Sequence, residues 1–108
     1  MISNIKSQMR KGILEYCILA IISRNEVYAS DILETLKTAE IVVVEGTVYP
    51  LLTRMKNEGL LSYRWQESTG GPPRKYYSLT DDGRTLLNQL SNEWQSICQA
   101  VNQITQQL

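Results

Sequence analysis

Leu87, Leu90, Trp94, Ile97, Val101, Ile104 and Leu108 are separated by 3, 4, 3, 4, 3 and 4 residues. Alternating steps of three and four make the seam of a coiled coil, here unbroken over about three heptads. The positions between are mostly Asn, Gln, Ser and Thr. Thr80-Asp81-Asp82 marks the start of this helix, a hydroxyl cap followed by two acids at the positive end of the helix dipole. A chain of 108 residues has room for one small domain with a core, not two. The seam could pack only onto the first helix of its own chain. It is long for that purpose, and the expectation is an intermolecular bundle with helices of a second copy.

The rest of the chain divides into shorter elements. Residues 3–23 carry Ile5, Met9, Gly12, Ile13, Tyr16, Cys17 and Ala20 at helical spacing, and from Ile13 to Ile22 the segment is apolar on most sides. Residues 30–38 form a second pattern, with Ser30 as expected N-cap, Asp31 in the first turn and Ile32, Leu33 and Leu36 facing inward. The β-branched run at 41–44 reads as a short extended link. From residue 45 a third helix shows Val48, Leu51, Leu52 and Met55 at i, i+3, i+4 and i+7. Pro50 fits if that helix starts at 45–46, and Gly59 supplies the left-handed residue that ends it. Residues 61–67 and 74–79 alternate as the strands of a hairpin, with Gly70-Gly71 and Pro72-Pro73 at its tip.

Helix, helix, helix, hairpin and long helix, in that order, predict a mainly α (α+β) fold. The specific expectation is a winged helix-turn-helix with a long coiled-coil-like C-terminal dimerisation helix. In that architecture the third helix enters the DNA major groove and the wing reaches the flanking backbone. This accounts for the polar face of the third helix. Gly46 lets a phosphate approach the helix N-terminus. Thr47, Tyr49 and Thr53 can donate to phosphates or touch thymine methyls, and Arg54 and Lys56 add charge further along. Arg74 and Lys75 on the wing would serve phosphates too. The plainer readings are a solvated helix face, a Tyr49 packed on the first helix, and wing cations that protect a strand edge. Lys6, Arg10 and Lys11 are either a solvated terminus or a further backbone contact.

Formal net charge is zero, with 11 basic and 11 acidic side chains, which argues mildly against nucleic-acid binding. The distribution argues the other way. Acids concentrate between Glu26 and Glu45, whereas residues 53–78 hold Arg54, Lys56, Arg64, Arg74 and Lys75 against Glu58 and Glu67. A winged helix that binds protein instead of DNA is the second reading. Catalysis is disfavoured: the chain has no histidine, no nucleophile–base pair, no metal cluster and no phosphate loop. Cys17 and Cys98 sit in apolar contexts and read as small hydrophobes. No cofactor or metal is expected. No apolar run spans a membrane and no signal peptide is evident, so a cytoplasmic protein is expected.

EGTVYPLLTRMKNEGLL at 45–61, followed by GGPPRKYYSLTDDGR at 70–84, resembles the PadR family of bacterial transcriptional regulators. GILEYCILAIIS and VYASDILETL are similar to that family too, and the likeness covers roughly residues 9–94. Ala29 departs from it, because the family usually has Gly after Tyr28. The resemblance implies a homodimeric repressor of a double-stranded DNA operator, with a DNA-binding unit over 1–80 and a dimerisation helix over 81–108. The single C-terminal helix is similar to that of the small subgroup. Leu87, Leu90, Trp94, Ile97, Val101 and Ile104 are then the expected dimer contacts. Some small members enclose a pocket at the dimer interface where an aromatic residue stacks flat ligands. The resemblance puts Trp94 there, as a candidate site for a small aromatic effector.

Overall fold

The computed structural model describes residues 12–41 and 45–106. Four helices and one hairpin follow in order: α1 (Leu14–Arg24), α2 (Ala29–Thr38), α3 (Glu45–Asn57), β1 (Leu61–Ser68), β2 (Gly71–Leu79) and α4 (Asp81–Thr105). This is the winged helix-turn-helix with a long C-terminal helix that the sequence predicts. The expected link at 41–44 lies largely outside the described residues.

α1 begins later than its periodicity suggests. Gly12 adopts φ +93°, a left-handed conformation that a continuous helix cannot contain, and Ile13 caps the helix that starts at Leu14. The helix expected over 3–23 is therefore interrupted at 12–13, and its part before residue 12 lies outside the described residues. α2 starts one residue earlier than expected. Its cap is Tyr28, not Ser30, because the Asp31 carboxylate accepts the Tyr28 N–H at 2.9 Å. α3 runs through Pro50, which falls close enough to the start that only one early intrahelical bond is forgone. It ends in a Schellman arrangement: the Leu60 N–H donates to the Met55 carbonyl, the Gly59 N–H to that of Lys56, and Gly59 takes φ +79°.

The hairpin departs from expectation at its tip. Pairing continues to Ser68↔Gly71, so the turn is only Thr69-Gly70, with Gly70 at φ +79°. Gln66 pairs with Arg74, which leaves Glu67 opposite both Pro72 and Pro73. The two prolines thus sit in a bulge, where a strand tolerates residues that cannot donate to the ladder. Val27 adds a one-residue third strand, exchanging two backbone hydrogen bonds with Tyr77 at 3.1 and 2.8 Å.

The core joins all these elements. Ile18, Leu19 and Ile22 from α1 meet Ile32 and Leu36 from α2, Val48, Leu52 and Met55 from α3, and Leu61 and Tyr77 from the hairpin. Leu86, Leu87 and Leu90 pack on it from α4. The start of α4 is tied tightly to the rest. Thr80 Oγ1 accepts the Gly83 N–H at 3.0 Å and donates to the Gly59 carbonyl at 2.6 Å. Gly83 is buried, and a Cβ there would collide with the Leu60 carbonyl.

Candidate nucleic-acid interface

α3 is divided by face. Val48, Leu52 and Met55 are fully buried, while Gly46, Thr47, Tyr49, Thr53, Arg54 and Lys56 are exposed. Between this outer face and the hairpin lies a concave groove of about 460 Å3. Tyr49 and Thr53 line it from α3, Trp65, Arg74, Lys75 and Tyr77 from the hairpin, and Tyr28, Ala29 and Ser30 from the start of α2. The lining holds two cations and no carboxylate.

Aromatic rings hold the groove cations without neutralising them. Lys75 Nζ lies 4.7 Å from the Tyr63 ring centre and 5.5 Å from that of Trp65. The Arg74 guanidinium lies 5.2 Å from the Tyr28 ring. A ring quadrupole attracts a cation but carries no net charge, so the positive field remains available to an anion. Thr53 Oγ1 donates to the Tyr49 carbonyl at 3.2 Å, so its lone pairs and methyl group are what it offers outward. Burial pushes the Tyr77 phenol up, with neighbouring Tyr63 and Tyr49 adding to the effect, so its hydroxyl keeps its proton.

The other residues expected to face DNA stand elsewhere. Gly46 and Thr47 are exposed at the first turn of α3, outside the groove lining. Lys56 turns toward β1, its Nζ 5.6 Å from the Tyr63 ring. Arg54 is engaged within the chain: Nη1 donates to Glu58 at 2.7 Å and Nη2 to Glu15 at 3.1 Å. The Glu58 and Glu15 hydrogen bonds, in that order, hold its guanidinium above its ordinary range. Tyr28 and Trp65 are the residues sequence reasoning missed. Trp65 alternates in phase with Leu61 and Tyr63, the core-facing register, but the wing projects beyond the core and leaves it 60% exposed.

On α4 the seam changes character along its length. Leu87 and Leu90 are half-buried against the core of their own chain. Trp94 stands at the boundary, its ring centre 6.5 Å from that of Tyr16. Ile97, Val101 and Ile104 are 54, 49 and 71% exposed. Trp94 also borders an open hollow lined by Gln95, Cys98, Gln99 and Asn102, among others. Burial pushes the Cys17 thiol up, away from thiolate chemistry.

A three-helix unit whose third helix and wing frame a cationic groove defines a winged helix-turn-helix protein. The chain belongs to the transcriptional regulator PadR-like family, whose match covers residues 18–89. It is similar to a PadR-like transcription factor from Bacteroides fragilis, at 57% identity over 94% of this chain and 98% of that one, with a TM-score of 0.78. A PadR-like transcriptional regulator from Bacillus cereus is 42% identical over 92% of this chain and 97% of that one, with a TM-score of 0.81. Bacillus subtilis PadR, solved in complex with operator DNA, is 26% identical over 73% of this chain and 46% of that one, with a TM-score of 0.67. No helix among the described residues is long and apolar enough to cross a membrane.

Proposed function

We propose that this chain is a homodimeric repressor that binds a pseudopalindromic operator, with α3 in the major groove and the wing on the flanking backbone. The groove carries the reading: it joins the polar face of α3 to Arg74 and Lys75 with no carboxylate in its wall. The operator complex of Bacillus subtilis PadR supports the same assignment. Ile97, Val101 and Ile104 support the dimer, since an apolar stripe this exposed on a long helix calls for a partner surface. Half-sites would then lie about one helical turn apart, roughly 34 Å. The hollow beside Trp94 is where a flat aromatic effector would sit once a second copy covers it, and its binding would release DNA by respacing the two α3 helices.

The test is fluorescence anisotropy with the DNA upstream of the protein's own gene, against excess unrelated duplex and over a salt series. The expected result is saturation at two chains per site, with affinity falling as salt rises. Addition of planar aromatic compounds to the saturated complex reads out effector release. Equal affinity for all duplexes at every salt concentration, with a library of random sequences included, would overturn the reading in favour of a protein-binding winged helix.

A further inference from the structure

We infer that Glu15 is a positioning residue for the DNA-reading helix, and that Arg54 acts through it and not by touching DNA. The inference rests on the DNA-binding reading above and deepens it.

α3 is seated on one stripe, Val48, Leu52 and Met55, with its opposite face bare. Such a stripe sets the depth of a helix but resists rocking about its own line weakly. Arg54 precedes Met55 on the flank of that stripe. Its planar fork grips Glu58 at 2.7 Å within the same stretch of chain and Glu15 at 3.1 Å across to α1. Glu15 is a firm anchor. It lies in the first turn of α1, where the helix dipole favours a carboxylate, and Ile18 and Leu19 of the same helix are fully buried. The bond joins residues 39 positions apart and couples the flank of α3 to α1, which buries Ile18, Leu19 and Ile22.

The surroundings of Arg54 are unlike those of the groove cations. Arg74 and Lys75 lie over ring faces that leave their charge available. Arg54 faces two carboxylates, which oppose its field at an approaching phosphate. The next residue after Glu15, Tyr16, meets Trp94 of α4. The first turn of α1 therefore touches both the reading helix and the boundary of the bare seam, and it is the place where a shift of α4 would reach α3.

A phosphate contact and a positioning contact differ in what they do to sequence preference. Loss of a phosphate contact weakens all duplexes alike and lowers the salt slope by about 0.9, whereas a displaced reading helix loses base contacts and relaxes specificity. The experiment uses the full-length wild type, Glu15→Gln, Arg54→Gln and the double variant. Each is titrated against a duplex selected by the wild type from a random pool and against an unrelated duplex, over a salt series. Taking the ratio of the two affinities cancels the change in net charge. The expected result is that each single variant lowers this ratio on the order of threefold to fivefold, the upper end of what an exposed ion pair can supply. The double variant should be no worse than either single one, with unchanged salt slopes. Thermal midpoints should stay close to wild type, since exposed ion pairs contribute little to stability. Unchanged ratios, or an Arg54→Gln effect that is equal on both duplexes and lowers the slope, would overturn the inference. A wild type without any preferred duplex would overturn the DNA-binding reading itself, before any variant is compared.

Discussion

The two halves of α4 share one pattern and have different surroundings. From Thr80 to Leu90 the helix is locked into its own domain by the Thr80 cap, the close approach of Gly83 to Leu60, and the packing of Leu86, Leu87 and Leu90. From Ile97 to Ile104 the same three-and-four spacing carries side chains that are about half exposed or more. A heptad reports that a helix has an apolar stripe. It does not report whose surface the stripe covers. Here the stripe passes from the core of its own domain to an exposed surface within a single helix, and Trp94 marks the crossing.

The difference predicts that substitutions in the two halves have separable effects. The largest is expected in the bare half. Val101→Glu places a carboxylate in the centre of the proposed dimer seam, and burial of an unpaired charge costs several kcal/mol. Sedimentation velocity at micromolar concentration should show two chains for the wild type and one for the variant, with helical content kept. DNA binding at two chains per site should be lost with the dimer. A variant that remains dimeric would move the interface off this stripe.

In the embedded half the effect should fall on the fold. Gly83→Ala drives a methyl group into the Leu60 carbonyl, and because the obstacle is backbone it cannot swing aside. Overpacking of this kind costs roughly 1–3 kcal/mol. Chemical denaturation monitored by circular dichroism should show a lower midpoint with little change of slope. Measured at a concentration where the wild type is fully associated, the variant should remain a dimer. An unaltered midpoint would mean that α4 docks less tightly than the Thr80–Gly59 and Gly83–Leu60 contacts imply.

Most of the architecture was legible because it rests on periodicity. The inner stripes of α2 and α3, the Gly59 stop and the Thr80 start were all apparent in the spacing of a few residues. What escaped was contact between distant parts of the chain. Nothing near Val27 signals a one-residue strand, since its partner Tyr77 lies far along the chain. Pro72 and Pro73 read as a loop, because proline is normally kept out of a ladder and only the bulge opposite Glu67 admits it. The groove was half legible: Tyr49, Thr53, Arg74 and Lys75 were named from the polar face and the wing, whereas Tyr28 and Trp65 enter it through tertiary packing. Arg54 looked like a free cation because Glu15 stands on another helix. Gly12 fits the helical periodicity as a small residue, but its conformation makes it a break.

The boundary itself should yield the smallest effect. The Tyr16 and Trp94 rings are 6.5 Å apart with planes inclined at 48°, a tilted arrangement within the range where aromatic pairs attract. Such pairs contribute about 0.5–1.5 kcal/mol beyond the area they bury. A double-mutant cycle with Tyr16→Leu and Trp94→Leu keeps both sites apolar and isolates the pair. If Trp94 belongs to the embedded half, the coupling appears in unfolding of the chain and is independent of protein concentration. If it belongs to the bare half, the coupling appears in the dimer dissociation constant and vanishes from the unfolding of the dissociated Val101→Glu background. Its 40% exposure and its ring contact with α1 favour the first outcome, with a coupling at the lower end of the range because much of the indole remains in water.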